Sequence, residues 1–504
     1  MFGDDKFWRI DLPKREFAMK FVLKLLVALV LGAVSATCFP PYSSSVVFLL
    51  LCLFAIFSFV YSTNRAGWLL FAFGLGYFLF LLKWMIVVGT DTWVGLALIC
   101  AFWWGLAGTV IGRIPLDGFW SLKVAFVFTA MELLRDRVPF NGFGWGQFGV
   151  VAAQSFLAPL VPILGQVVLT FGLVWIAAEV VRIRKQGAVS YRKYLTIALV
   201  VGGAGLASSN MVAVQSADQL RIGLVQGGVV HTGLGTFGPP RSVLKNHVTQ
   251  TELHIETLNK QDLVVWPESS SDWDPFADPI SHSLITAIQA KLETPLLIGA
   301  NVETSDGRLA NDSILWRQTG PHIEYQKRRL VPFGEFMPFR SVISKFTDRV
   351  ELMPKDFASG HAPGHFNVNG INLNVLICFE IADDSLAFDR IDDAAAIIVH
   401  TNNATYQNLG QSEQQLLYAR MRALETSRPV LSVSTSGYSA VIDPQGRILD
   451  SLNQSQTGIL TAVVEKRSGR TLATLLHGPS VVAVFLGLIW SLRSVRFARR
   501  KVAS

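Results

Sequence analysis

Three positions in the carboxy-terminal half of the sequence carry groups that could act together in acyl chemistry. Cys378 closes Asn374-Val375-Leu376-Ile377, an apolar run of strand length fed by the alternating Ile371-Asn372-Leu373-Asn374. Phe379, Glu380 and the turn acids Asp383 and Asp384 follow, a pattern that predicts strand, sharp turn and helix. A thiol at the end of a buried strand is held rigidly where the sheet opens to substrate, which suits a nucleophile. A buried cysteine is equally a small hydrophobe, so the case for chemistry rests on its companions. The first is Glu268, at the end of Val264-Val265-Trp266, where Pro267 stops the strand. The second is Lys327, which ends Tyr325-Gln326, and the proline- and glycine-containing loop from Arg328 to Phe336 then delivers Glu335. Taken singly, Glu268 reads as a solvated strand end, Lys327 as part of a basic run with Arg328 and Arg329, and Glu335 and Glu380 as turn or helix caps. Together they form one chemical set. A thiol needs a base to become thiolate, and a tetrahedral oxyanion needs a nearby cation or donor.

The elements that position this set alternate between strands and helices. Arg221 to Gln226 and Asp262 to Trp266 read as buried strands, Pro279 to Leu292 as a helix, and Pro295 to Ala300 as another strand. This pattern predicts an α/β layered domain of about 250 residues, long enough for a full core. Its boundaries are placed at residues 217–467. Of four cysteines, Cys38, Cys52 and Cys100 lie in apolar segments, which leaves Cys378 without an intradomain disulfide partner. No cysteine spacing suits a metal, and neither metal nor cofactor is expected.

The rest of the chain is of a different kind. With 504 residues, 51% of them hydrophobic, and a mean hydropathy of +0.39, it is too apolar for an ordinary soluble enzyme. Apolar segments run from Phe21 to Cys38, Val46 to Tyr61, Gly67 to Leu82, Trp93 to Ile111, Leu116 to Leu134, Ala158 to Val181 and Leu195 to Val212, with one more at Leu472 to Leu492. They predict about eight transmembrane helices, seven in residues 1–216 and the eighth in residues 468–504 with a basic tail. In the fifth segment Lys123 must snorkel toward an interface. The net charge of +7 does not point to nucleic acid, because the basic residues cluster beside apolar segments. The amino-terminal tail, Arg65, Arg113, the cluster from Arg182 to Lys193 and the tail from Arg493 to Lys501 fall on one side, outnumbering Lys83, Arg135 and Arg137 on the other. The first side is predicted to be cytoplasmic, with both termini there and the polar domain outside. Pro139 to Gly149 is too glycine-rich for a helix and too aromatic for a solvated loop, and is expected in the outer interface as an aromatic belt or a lipid gate.

The order glutamate, lysine, cysteine, in the settings Val265-Trp266-Pro267-Glu268, Tyr325-Gln326-Lys327 and Leu376-Ile377-Cys378-Phe379-Glu380, resembles the nitrilase (carbon-nitrogen hydrolase) superfamily. Within it, Leu330-Val331-Pro332-Phe333-Gly334-Glu335-Phe336 and Ala419-Arg420-Met421-Arg422-Ala423-Leu424-Glu425 before Arg428-Pro429 resemble the apolipoprotein N-acyltransferases, and the eight-span layout fits them. The resemblance covers nearly the whole chain. It implies an αββα sandwich beside the membrane helices, with Glu268 as general base, Lys327 as stabiliser of the tetrahedral intermediate and Cys378 as nucleophile. Glu335 and Glu380 become supporting glutamates, with Phe379 beside them, and Trp266, Tyr406 and Trp145 are candidate substrate-binding aromatics. The implied reaction is transfer of a phospholipid acyl chain to the amino group of a diacylglyceryl-cysteine apolipoprotein, at the outer face of the inner membrane, through a thioester. Departures fall at Phe379, where many members have tyrosine, at Gly227-Gly228-Val229-Val230, without the tryptophan expected soon after, and at Thr401 to Tyr406, which replaces a tryptophan-containing loop. They bear on acceptor recognition. The rival readings are a membrane-tethered amidase acting on a small substrate, and a non-catalytic lipoprotein-binding scaffold; the intact trio argues against the scaffold.

Overall fold

The structure, a computed structural model, describes residues 12–61, 63–187, 203, 211–231, 233, 238–332, 334–345, 351, 355–406 and 408–503. Six helices come first: α1 Leu12–Ala36, α2 Val46–Val60, α3 Ala66–Leu81, α4 Thr90–Ile111, α5 Trp120–Arg135 and α6 Val161–Gln186. Among the described residues four helices contain stretches long and apolar enough to cross a membrane: Ala18–Ala36, Thr90–Ile111, Ala158–Gln186 and Leu472–Arg496. The 15 residues of α2 and 16 of α3 are apolar but shorter, below the roughly 20 that span a hydrocarbon core of about 30 Å. Leu23, Leu26, Val30, Phe48, Leu51, Ile99, Phe102 and Leu486 point outward from these helices. An exposed apolar surface of this extent suits lipid rather than water. The seventh predicted segment, Leu195 to Val212, lies almost wholly outside the described residues, as do Arg192 and Lys193, and its last residue begins a strand.

Helix α5 departs from an ordinary apolar span because its charges are internal. Lys123 is buried, its ammonium reaching back to Asp117 at 2.5 Å in the preceding turn and lying 5.0 Å from the centre of the Trp490 ring. Glu132 accepts from Trp104 Nε1 at 2.6 Å and from Arg135 at 2.9 Å. Charges among apolar helices persist when paired in this way.

Two six-stranded sheets form the second unit. One has the order β12-β1-β2-β3-β4-β5, from β1 Val212–Gln226, β2 Leu263–Val265, β3 Leu296–Glu303, β4 Leu309–Arg317, β5 Gly320–Gln326 and β12 Gly458–Gly469. The other has the order β11-β10-β9-β8-β7-β6, from β6 His365–Val368, β7 Ile371–Ile377, β8 Ala394–Thr401, β9 Val430–Ser434, β10 Ser439–Ile442 and β11 Ile448–Leu452. The central strands β1, β2 and β3, and likewise β7, β8 and β9, run parallel. Their period-two alternation sorts side chains by layer. Ile222, Leu224, Val265 and Leu297 meet Leu373, Val375, Ile377, Ile398 and Leu431 between the sheets. On the outer face of the first sheet Val225, Val264, Ile298 and Trp316 pack with Leu244 of α7 (Ser242–Leu253) and with Ile285 and Ile288 of α8 (Pro279–Leu292). This is the layered α/β sandwich expected of the nitrilase class.

The outer face of the second sheet is covered differently. Leu376, Ile397, Val399 and Val430 join Leu417, Met421 and Leu424 of α9 (Gln411–Thr426) in a core that continues into α1 to α6. The helix layer on that side is therefore shared between the sandwich and the apolar bundle. The bond between them is polar as well as apolar. Helix α6 is interrupted at Gly165, where φ is 67° and ψ 172°, a backbone conformation that glycine adopts without steric cost. The amide of Gln166 that this frees donates to Glu425 Oε1 of α9 at 2.7 Å. The chain returns to the bundle through α10, Leu472–Ala503, which packs on α5 and α6.

Candidate active site

The three chemical groups meet at the ends of their strands. Cys378 follows the last residue of β7 with φ at 52°, a left-handed conformation that costs a non-glycine residue about 1–3 kcal/mol and marks functional turns. The turn lifts Cys378 out of the strand and leaves the residue as a whole partly exposed, whereas the other three cysteines are buried. Glu268 stands past the end of β2, next to Ser269, which is also left-handed at φ 52°. Its backbone runs over Gly299 so closely that a Cβ there would lie 2.6 Å from the Glu268 Cα. Lys327 follows β5, its amide donating to Asn311 O of β4 at 2.9 Å. Its ammonium donates to Glu335 Oε1 at 2.6 Å and lies 3.6 Å from Glu268 Oε1.

The electrostatics assign different capacities to these groups. Burial works against the charge of Lys327, but the carboxylates of Glu335 and Glu268 hold it well above the usual lysine range. It stays a cation and cannot serve as base. Burial raises Glu268 above the ordinary glutamate value, opposed chiefly by Lys327, which moves the group toward the range where a carboxylate takes up a proton usefully. Burial and then the Glu268 charge push the Cys378 thiol up to about 12, so it is neutral at rest. Glu268 Oε1 accepts from Asn311 Nδ2 at 2.7 Å, while its buried Oε2 has no hydrogen-bond partner among the described residues. The thiol lies close enough to this carboxyl to lower its proton affinity.

Glu380 is no surface cap. It is fully buried and accepts from the amides of Arg328 at 2.8 Å, Arg329 at 2.9 Å and Ile377 at 2.9 Å, and from the Tyr325 hydroxyl at 2.7 Å. One carboxylate thus fixes the backbone just after Lys327 and just before Cys378. Arg422 of α9 holds the far side of the cysteine turn, donating to Ile381 O and Ala382 O, each at 3.0 Å, and to Gln166 Oε1 at 2.9 Å, and pairing with Glu425. Arg329 joins the Lys327 loop to the segment after α5, through Asp136 Oδ1 at 2.9 Å and Asn141 O at 2.7 Å, and pairs with Asp383.

The predicted aromatics divide. Trp145 is buried and stacks on Phe379 at 5.8 Å between ring centres, with Phe143 on the same ring at 5.5 Å. Within Pro139 to Gly149, Phe143 and Trp145 therefore form no belt facing lipid but the seat on which the cysteine turn rests, tied down by Arg135 through Trp145 O at 2.9 Å. Tyr406 packs edge-on against Trp84 of the bundle at 5.0 Å and is near enough to Cys378 to feel its charge. Trp266 does not reach the site. It shares the parity of Val264, is buried against α7 and α8, and donates to Thr251 Oγ1 at 3.0 Å, so it belongs to the helix-side core. Sequence reasoning missed Asn311, Gln415 and Tyr325. The signal for Asn311 was the polar triplet Asn311-Asp312-Ser313 inside an otherwise apolar strand, and for Gln415 the polar run that opens α9; each is buried and must find partners.

Comparison with known proteins agrees with this arrangement in both halves. Residues 31–178 match the apolipoprotein N-acyltransferase N-terminal domain and residues 240–473 the carbon-nitrogen hydrolase domain. An apolipoprotein N-acyltransferase of Mycolicibacterium smegmatis is 29% identical over 87% of this chain and 80% of its own length. One of Haemophilus ducreyi is 30% identical over 72% of this chain and 74% of its own. Among solved structures, Saccharomyces cerevisiae Nit3, a member of branch 10 of the nitrilase superfamily, is similar over 50% of this chain and 93% of its own, at 18% identity and a TM-score of 0.38. With identity of this level spread over the bundle and the sandwich alike, the chain belongs to the apolipoprotein N-acyltransferase family.

Proposed function

We propose that this membrane enzyme moves a fatty acyl chain from a phospholipid to the α-amino group of the diacylglyceryl-cysteine that begins an apolipoprotein, and that the acyl group rests on Cys378 between the two substrates. The observation that carries the reading is the wall behind the nucleophile. Phe379 lies on Trp145 and Phe143, and Tyr406 on Trp84, all three partners being aromatic residues of the bundle or of the segment between α5 and α6. A site for small soluble amides has no need of such a wall, whereas two lipid-anchored substrates must be received from the membrane side.

In the first half-reaction Glu268 takes the thiol proton as sulfur attacks the ester carbonyl, and Lys327 faces the oxyanion. Collapse breaks the C–O bond, and the lysophospholipid leaves with the proton returned by Glu268. In the second, the acceptor amine attacks the thioester, Glu268 receives the ammonium proton, the C–S bond breaks to give the amide, and the proton passes to the departing sulfur. Glu335 keeps Lys327 aimed, and Glu380 keeps both strand ends in register.

The sandwich, residues 217–467, stands outside the cytoplasm in this reading, with seven crossings before it, an eighth after it and both termini inside. Basic residues support the orientation. Those counted on the cytoplasmic side outnumber the three on the opposing side, Lys83, Arg135 and Arg137. A reporter active only outside, fused after Val214, is expected to work; activity of a cytoplasmic reporter alone would overturn the topology. Cells depleted of the protein are expected to accumulate lipoproteins with unblocked amino termini, and blocked termini in such cells would remove the function.

A further inference from the structure

One side chain of α9 touches the reacting sulfur and has no part in the scheme above. Gln415 is buried, and its Nε2 lies 3.7 Å from Cys378 Sγ, within the longer range of hydrogen bonds to sulfur. Which of its amide atoms faces the thiol follows from a chain of hydrogen bonds that begins on a backbone group. Gly437 N donates to Ser434 Oγ at 2.8 Å, and the polarity of that bond cannot be reversed. The Ser434 hydroxyl then gives its own hydrogen to Asn403 Oδ1 at 2.8 Å. This turns Asn403 Nδ2 toward α9, where it donates to Gln411 Oε1 and Gln415 Oε1, each at 2.7 Å. With its oxygen so engaged, Gln415 presents N–H to sulfur. Every member is buried, which strengthens and polarises such a chain. Gly437 is required at its head, since a Cβ there would lie 2.4 Å from Asn403 Oδ1.

The consequence for the thiol is directional. Sulfur that accepts a hydrogen bond from Gln415 on one side must point its own proton elsewhere, and the Glu268 carboxyl, one oxygen of which is unpartnered, lies close to it. We propose that Gln415 is a further catalytic residue, whose amide donates to the Cys378 sulfur, directs the S–H proton to Glu268 and steadies the thiolate each time it forms. The inference rests on Cys378 being the nucleophile. The thiolate forms twice per turnover, as the proton leaves for Glu268 and again when the C–S bond of the thioester breaks and its electron pair returns to sulfur. The neighbouring Gln414 is held by the bundle, donating to Pro40 O and Leu81 O at 3.1 Å each and accepting from Trp84 Nε1 at 3.2 Å and Trp145 Nε1 at 2.7 Å. The donor to the nucleophile is therefore placed by a helix bolted to the membrane helices.

The test uses the full-length protein in detergent, with phospholipid added only for the acylation measurement. The rate of Cys378 alkylation by iodoacetamide is followed by intact mass from about pH 6 to 10, below the thiol's value of about 12, where the rate follows the thiolate fraction, for the wild type, Gln415→Met, Gln415→Glu and Cys378→Ala, with thermal unfolding recorded for each. Gln415→Met keeps the length but loses the donor, and is expected to slow alkylation about tenfold at a given pH and to move the profile to higher pH. Gln415→Glu, which sets a carboxylate against the sulfur, is expected to be slower still. Acylation by phospholipid is expected to fall in the same order. A folded Gln415→Met or Gln415→Glu protein with the wild-type profile overturns the proposal, because a packing role alone would change unfolding and not the profile. Acyl transfer retained by Cys378→Ala overturns it together with the nucleophile assignment beneath it.

Discussion

The hydrogen bond from Asn311 to Glu268 offers a perturbation whose size and sign can be worked out in advance. Asn311 Nδ2 donates to Glu268 Oε1 at 2.7 Å inside a buried site, while its own Oδ1 has no partner among the described residues. Asn311→Leu therefore removes one donor at nearly constant volume and leaves Glu268 Oε1 with only the Lys327 ammonium, 3.6 Å away. A hydrogen bond to a charged group contributes about 1.5–3 kcal/mol, and one pH unit corresponds to about 1.4 kcal/mol. The bond favours the ionised carboxylate, so its loss raises the Glu268 pKa, already above the ordinary value through burial, by about one to two units. Acyl transfer needs Glu268 ionised, so activity is lost as pH falls through that pKa. The acid limb of kcat/KM is thus expected to move to higher pH by about one to two units, with the plateau above it largely kept. The assay is transfer from a fluorescent-acyl phospholipid to a diacylglyceryl peptide across the pH range. An unmoved limb with a uniform loss of rate would show that Asn311 serves geometry alone, and an acid limb unchanged in Glu268→Gln would show that the titrating base is another group.

Other substitutions test the supports. Glu380→Gln sets an amide NH2 against the Ile377 N–H or the pair at Arg328 and Arg329, and is expected to destabilise the sandwich by about 2–4 kcal/mol, read as a lower unfolding temperature, with acyl transfer falling as Lys327 and Cys378 lose their common anchor. Arg422→Met breaks a buried ion pair and strands two carbonyls, a change of about 3–5 kcal/mol; its signature should be early proteolysis at the junction of α9 with the bundle, and wild-type resistance would deny Arg422 its anchoring role. Trp266→Phe should lower stability by about 1 kcal/mol through the lost bond to Thr251 and leave KM for both substrates unchanged; a raised KM would return Trp266 to the binding surface.

The meeting of Glu268, Lys327 and Cys378 was legible because each ends a strand whose apolar run is visible in sequence, and because the three chemistries complement one another. Helix α8 was legible to the residue, Pro279 to Leu292, being bounded by an Asp278 cap and a left-handed Glu293. Trp266 was readable and misread: its parity with Val264 already placed it on the face away from Val265. Gln415, Asn311 and Asn403 were less visible, since neutral amides acquire meaning only from partners on other strands and helices. The seat formed by Phe143 and Trp145 could not be read either, because the ring that rests on it, Phe379, lies more than two hundred residues further along the chain. In helix α5 Lys123 was expected to snorkel toward an interface, and its ammonium does reach back to the partly exposed Asp117, whereas the buried Glu132–Arg135 pair was not foreseen.

The central claim is that the acyl group waits on Cys378, and intact mass measurement tests it most directly. Purified protein incubated with phospholipid and no acceptor is expected to gain the mass of one acyl chain, to lose it to hydroxylamine or to a diacylglyceryl peptide, and to show no gain as Cys378→Ala. An enzyme that acylates its acceptor without ever carrying the adduct, or that loses the acyl group to water as fast without acceptor as with it, would contradict the account.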